Sequence, residues 1–210
     1  MRKPQSLESE EEEKQALEST EHSPIITLTG ELVVLGPYHP SIKPLLAKWF
    51  NTLAVSIPGG DVPLPLTPEA IDAEYERCIK SNDRVDFIIY ERASMRPIGI
   101  VNLRDIDNHH RTAELGIAIG EQECWNKGYG TEACWLVLDY GFNGLGLHNV
   151  VLDPVSFNER AIRAYQRVGF REIGRRRDAH RVGNRVFDLV LMDCLATEFK
   201  SPLKPVIDLP

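Results

Sequence analysis

The stretch from Leu115 to Phe142 constrains the fold more than any other part of the chain. An apolar run, Leu115–Ile119, leads into Trp125-Asn-Lys-Gly128-Tyr-Gly130-Thr131, and a helical pattern follows over Ala133–Phe142. That order is strand, glycine turn, helix. Two glycines one residue apart let the backbone turn tightly and keep its N–H groups clear of side chains. The N-terminus of the following helix adds partial positive charge beside those groups, so the turn suits an anion such as a pyrophosphate. Gly128-x-Gly130-x-x-Ala133 also satisfies the fingerprint of a dinucleotide-binding βαβ unit, with Asp153 standing where a ribose-binding carboxylate is expected. The elements on either side decide between these readings.

Upstream, Glu31–Leu35 reads as a strand closed by Gly36-Pro37, and Ile42, Leu45, Leu46, Trp49 and Phe50 fall at helical spacing. Ile57–Pro68 is a loop dense in proline and glycine. Thr67-Pro68-Glu69 supplies an N-cap, a first-turn proline and a first-turn acid for a helix to about Lys80. Val85–Tyr90 and Pro97–Leu103 form a hairpin across the polar turn Glu91–Arg96, and Thr112–Ile119 extends it to a third strand. Downstream, Gly144-x-Gly146 closes the helix after the glycine turn, and Asn149–Asp153 is a strand. Asn158–Val168 is an amphipathic helix stopped by Gly169-Phe170, and Arg171–Arg177 with Asn184–Met192 makes a terminal hairpin. The expected order is β-α-α-β-β-β-α-β-α-β-β, an α+β fold with a mixed, mostly antiparallel sheet. A dinucleotide fold would carry its fingerprint near its start and continue in parallel crossovers. Three antiparallel strands before the turn set that reading, and with it an NAD(P)-dependent oxidoreductase, well behind.

The length of 210 residues fits one domain with tails. Residues 1–23 are polar and acid-rich without aromatics, and read as a disordered arm. Residues 24–199 form the expected domain, and 200–210, with three prolines, a tail. The net charge of −7 owes much to the run Glu8–Glu13, so the body is nearly balanced and gives no footprint for nucleic acid. Arg175–Arg177 lies on a strand without interleaved aromatics, so it pairs with acids or lines the entrance of an acidic substrate. Cys78, Cys124, Cys134 and Cys194 form no CxxC and no metal-like grouping, which suits free thiols in a reducing compartment and no metal. His109-His110 reads as an exposed turn, and Trp49, Trp125 and Trp135 as core or wall residues. No apolar run approaches the roughly 18 residues of a membrane span, and no signal-peptide core is present. A cytosolic protein is expected.

Three separated blocks resemble the GNAT superfamily of acetyl-CoA-dependent N-acetyltransferases. Ala113-Glu-Leu-Gly-Ile-Ala-Ile119 resembles its fourth strand, and Trp125-Asn-Lys-Gly-Tyr-Gly-Thr-Glu-Ala133 its pyrophosphate loop. Asn158-Glu-Arg-Ala-Ile-Arg-Ala-Tyr165-x-x-x-Gly169-Phe170 resembles its motif after the fifth strand. The branch most resembled holds the ribosomal-protein N-terminal alanine and serine acetyltransferases, which often carry a tryptophan where Trp125 departs from the wider pattern of Gln or Arg. The resemblance implies a GNAT fold, a sheet flanked by helices, with acetyl-CoA as cosubstrate. It also implies acetyl transfer to a primary amine, either a peptide N-terminus or a small molecule, by direct attack in a ternary complex.

The same resemblance assigns roles. The amides of Lys127, Gly128, Tyr129, Gly130 and Thr131 would hold the pyrophosphate, Lys127 adding charge unless it is a solvated surface lysine. The backbone of Ile117, Ala118 and Ile119 would pair with the pantetheine arm as an added strand. Asn158 would hydrogen-bond that arm, cap its helix, or both. An ammonium with a pKa of roughly 8 to 10.4 must lose a proton before it attacks, so a carboxylate base is needed. Glu114 and Asp153 are both candidates. Tyr165 resembles the acid that protonates the leaving sulfur, the alternative being an aromatic that only packs. Cys124 and Cys134 read as packing residues. An alternative of another class is a non-catalytic acyl-CoA-binding module, and monomer and homodimer both stay open.

Overall fold

The computed structural model describes residues 24–60, 62 and 64–207. The acidic arm of residues 1–23 lies outside them. Eight strands form one sheet in the order β1-β2-β3-β4-β5-β6-β8-β7 among the described residues. They are β1 (Leu28–Thr29), β2 (Val33–Pro37), β3 (Val85–Glu91), β4 (Pro97–Asp107), β5 (Thr112–Ile119), β6 (Asn149–Leu152), β7 (Arg171–Val182) and β8 (Arg185–Leu195). Five α-helices accompany them: α1 (Lys43–Phe50), α2 (Leu53–Gly59), α3 (Pro68–Lys80), α4 (Tyr129–Asp139) and α5 (Glu159–Val168). The α+β architecture with a mostly antiparallel sheet is the one expected.

Two elements go beyond the expected order. β1 is a two-residue strand paired with β2, too short for any periodicity to declare it. Helix α2 occupies Leu53–Gly59, partly inside the segment read as loop. Its Pro58 lies past the first turn and gives up the N–H that would bond four residues back, and Gly60 closes the helix in a left-handed conformation (φ 88°) directly after. The terminal hairpin is also longer than its apolar pattern indicates, since β7 is exposed along most of its length.

The sheet has a face for each of two cores. On one, Leu35, Ile89, Val101, Leu103, Leu115, Val150 and Met192 pack against α4 residues Ala133, Leu136 and Val137. On the other, Val34, Ile88, Tyr90 and Ile100 pack against Leu46 and Trp49 of α1 and Ile71 and Tyr75 of α3. Strand alternation sends neighbouring residues to opposite cores, and because both faces are covered the central strands read as continuous apolar runs. Helix α4 is fastened to β2 by buried Glu132, whose carboxylate accepts from Leu32 N at 2.7 Å and Val33 N at 3.1 Å. At the other end Phe199 lies against Phe142, with ring centroids 5.2 Å apart, and Val206 N donates to buried Asp139. The proline-rich C-terminal segment therefore packs on the end of α4 as far as residue 207.

The feature that positions the site is a seam. β5 and β6 are the parallel neighbours in the sheet, and they pair over three residues, Thr112↔Asn149, Ala113↔Val150 and Glu114↔Val151. Beyond Glu114, β5 stays with β4 as far as Ile119↔Gly99. Beyond Leu152 the other chain follows β8 instead, through Val190 N→Pro154 O (2.9 Å), Ser156 N→Asp188 O (2.9 Å) and the bridge Val155↔Leu189. Pro154 lacks an N–H to offer back toward β5. The strands separate, and β5 is left with an unpaired edge. A single parallel pair also leaves no repeated βαβ unit of the dinucleotide type.

Candidate functional site

The gap between β5 and α5 opens into a cavity of about 510 Å³. Strand β5 forms its floor, the glycine turn one end, α5 one wall, and Phe50, Ala54 and Pro58 of α1 and α2 the opposite rim.

At the glycine turn, Asn126 and Gly128 both take left-handed conformations (φ 62° and 88°), which asparagine and glycine tolerate best. Gly128 is the N-cap of α4 and offers no side-chain cap. Among the described residues none of the N–H groups of Lys127, Gly128, Tyr129, Gly130 and Thr131 has a hydrogen-bond partner, the first such bond being Glu132 N→Gly128 O. Helix starts leave such donors free, and here four of the five belong to residues that line a cavity. Gly128, Tyr129, Gly130 and Thr131 line it, whereas Lys127 does not and is exposed. Tyr129 is held from behind by its hydroxyl, which donates to Glu91 of β3.

Along the open edge, Trp125 Nε1 donates to the carbonyl of Ile119 at 2.8 Å. That carbonyl therefore points away from β4, and the two-residue repeat of a strand turns the N–H and C=O of Ile117 the same way. Ile117, Ala118 and Ile119 all line the cavity, but the Ile119 carbonyl is already engaged. The guanidinium of Arg160, on α5, lies 4.1 Å from the centre of the Trp125 ring, so this pair bridges the gap. Burial lowers the pKa of Arg160.

Asn158 lines the cavity and has protein partners on both ends of its amide. Its Oδ1 accepts from Ala161 N at 3.2 Å, capping α5, and its Nδ2 donates to Pro58 O at 2.9 Å, tying α5 to α2. Tyr165 is half-buried seven residues further along, packed edge-on to Phe170 with ring centroids 5.8 Å apart. Its hydroxyl makes no hydrogen bond among the described residues. Burial, then neighbouring Cys134, pushes the phenol well above its ordinary value. Burial takes the Cys134 thiol up to about 12, so it is a neutral packing group. The other three cysteines are also free and buried.

The two carboxylates, Glu114 and Asp153, both line the cavity near the point where the strands part, and each has an arginine. Arg104 of β4, directly opposite Glu114 in register, donates to Glu114 Oε1. Arg176 of β7 donates to Asp153 Oδ2 at 3.2 Å. Glu114 is the better shielded, its side chain 27% exposed against 39% for Asp153. In both, the second oxygen is free of hydrogen bonds among the described residues. Arg175 pairs with Glu172 at 2.7 Å, so Arg175 and Arg176 are both occupied by acids.

Arg104, Arg160 and Asn102, all cavity residues, were passed over in the sequence. Asn102 of β4 is 8% exposed and lines the cavity, and its Oδ1 has no partner. A lone asparagine inside the apolar run Ile98–Leu103 was the available signal.

Comparison with known proteins settles the family. The sequence pattern of one family, described as an acetyltransferase (GNAT) domain, matches residues 33–171. The chain belongs to the GNAT acetyltransferase family. It is 35% identical over 104 residues to spermidine N(1)-acetyltransferase of Escherichia coli (strain K12), a match covering 46% of this chain and 55% of that protein. It is 29% identical over 157 residues to alpha/beta-tubulin-N-acetyltransferase 9 of Mus musculus, covering 70% of this chain and 64% of that one. The chain thus spans little more than half the length of the first of these GNAT relatives. In fold it is similar to a spermidine N-acetyltransferase from Vibrio cholerae solved in complex with CoA and spermine, with a TM-score of 0.75 over 80% of this chain and 98% of that one, at 24% identity. Among the described residues no cluster of His, Cys, Asp and Glu could hold a metal, and no helix is long and apolar enough to cross a membrane.

Proposed function

We propose that this chain transfers an acetyl group from acetyl-CoA to a primary amine, the acceptor binding beside the thioester in a ternary complex. The observation that carries the reading is the coincidence, in one cavity, of an unzipped strand edge, four unbonded amides of the glycine turn, an unbonded phenol and a carboxylate with a free oxygen. Residues 24–199 make up the catalytic domain in this reading, and four buried free cysteines support a reducing, cytosolic setting.

The residues present fit acetyl-CoA. The amides of residues 128–131 suit its pyrophosphate, and the outward N–H and C=O of Ile117 suit the amides of its pantetheine arm. Lys127 is exposed and lies outside the cavity lining, so the four residues after it carry the pyrophosphate in this reading. Asn158 reaches the same arm only with the amide hydrogen and lone pair left over from capping. When bound, acetyl-CoA supplies the thioester whose carbonyl carbon the amine attacks. Glu114 Oε2 takes the proton from the ammonium, Arg104 fixing the carboxylate through Oε1. Tyr165, kept protonated by burial, gives its proton to the departing sulfur. An N–H on the open edge of β5 faces the carbonyl oxygen as negative charge develops there. Asp153, more exposed, helps carry protons to solvent.

One observation favours a second reading. Both carboxylates are held by arginines, as they would be in an acyl-CoA-binding module that catalyses nothing. Titration with acetyl-CoA, CoA and NADPH by calorimetry, followed by a free-thiol assay with an amine panel, separates these. Acetyl-CoA binding with amine-dependent thiol release supports transfer. Binding without release supports the module, and no CoA binding overturns both.

A further inference from the structure

Asn102 stands on the cavity floor with nothing to bind. Neither end of its amide has a hydrogen bond among the described residues, although the residue is 8% exposed and its Oδ1 is shut off from water by the protein around it. Buried polar groups left unpaired are costly, and of the four such side chains among the described residues Asn102 is the one that lines the cavity. The backbone opposite makes room for this one. Asn102 pairs in register with Gly116, and a Cβ on Gly116 would stand 2.7 Å from Asn102 Oδ1. On the same face, one step along, lies the Arg104↔Glu114 pair. The amide is therefore a diagonal neighbour of the carboxylate assigned as base.

The charges around it narrow what it can receive. Among the described residues lining the cavity, the acids are Glu114 and Asp153, and each is neutralised by an arginine. Arg104, Arg160, Arg163 and Arg167 also line it. A polycation would bring a second and third ammonium into a cavity with no free carboxylate to meet them, and such charges are expensive to desolvate unpaired. The neutral amide of Asn102, by contrast, keeps Nδ2 open to the cavity, where it can donate to a carbonyl that lies beside a single amine.

We infer that Asn102 binds the acceptor, its amide orienting a single amine toward Glu114, and that the arginine-neutralised floor selects a monoamine with an adjacent carbonyl over a polyamine. This rests on the transfer reading above. It sets the chain apart from relatives whose names carry spermidine.

The test uses the full chain, with alanyl-glycyl-glycine amide and spermidine as acceptors, free thiol as readout, and CoA affinity by calorimetry as the check on folding. The wild-type protein is expected to show kcat/KM at least about tenfold higher for the peptide amide. Asn102→Ala is expected to raise KM for it about tenfold with CoA affinity unchanged. Asn102→Asp, which adds an acid to the floor, is expected to raise kcat/KM for spermidine above that of the wild type. A wild type that prefers spermidine overturns the inference without recourse to any variant. So does an Asn102→Ala protein that binds CoA and keeps its KM. A wild type that binds CoA yet releases thiol with neither amine overturns the transfer reading, and the inference falls with it.

Discussion

Trp125 donates its indole N–H to the carbonyl of Ile119 across 2.8 Å, occupying with a protein group one of the backbone positions on the open edge of β5. The same ring carries the Arg160 guanidinium at 4.1 Å. Trp125 thus couples the glycine turn, the strand edge and α5. Trp125→Phe keeps the ring and loses the N–H, and a hydrogen bond of this kind contributes about 1 kcal/mol. Calorimetry with CoA should show affinity weakened about fivefold. Unchanged affinity would mean the indole N–H plays no part in holding the turn for ligand.

Tyr165→Phe should bind CoA as the wild type does and lose about 100-fold in kcat. The sign of the pKa shift bears on the pH profile. Burial raises the phenol above its ordinary value near 10, so its proton stays on through the whole neutral and mildly alkaline range. Activity should therefore show no alkaline fall from this group below about pH 10. Unaltered kcat in the variant would leave Tyr165 a packing residue.

Glu114→Gln should lower kcat/KM about 100-fold at pH 7, and Asp153→Asn far less. An amine deprotonates unaided as pH rises through its own pKa, about 8 for a peptide α-amine, so the deficit of Glu114→Gln should shrink above that pH. A larger, pH-dependent deficit in Asp153→Asn would move the base to that residue.

Asn158→Ala removes the cap of α5 and its tie to Pro58 O. Loss of the cap alone should cost about 1 kcal/mol in urea unfolding. A variant of unchanged stability but weakened CoA binding would show that the asparagine serves the ligand and not the helix.

Much of this was open to reading from the residues because it rests on local chemistry. The glycine turn, the apolar runs of β3 to β5 and the helix from Asn158 to Gly169 each announce themselves over a few consecutive positions. Helix α2 did not, because Pro58 and the paired glycines after it carry the signature of a loop, and the helix is only seven residues long. The pairing of Arg176 with Asp153 lay outside local reading, since it depends on β8 bringing β7 alongside the end of β6. Nor does any pattern in the chain tell that the Ile119 carbonyl is taken, or that Asn158 spends its amide on Ala161 and Pro58. Those follow from how separate elements meet.

The three residue pairs that join β5 to β6 have a mechanical consequence. They make the sheet two leaves on a short hinge, β1 to β5 on one side and β6 to β8 on the other, with α4 packed on β2, β4 and β5 and against α5. A ligand laid along the open edge adds rungs the polypeptide does not make for itself, and so becomes a structural member as well as a reactant. Amide hydrogens of the two leaves should then exchange with solvent as separate cooperative units in the free protein and as one when the gap is filled.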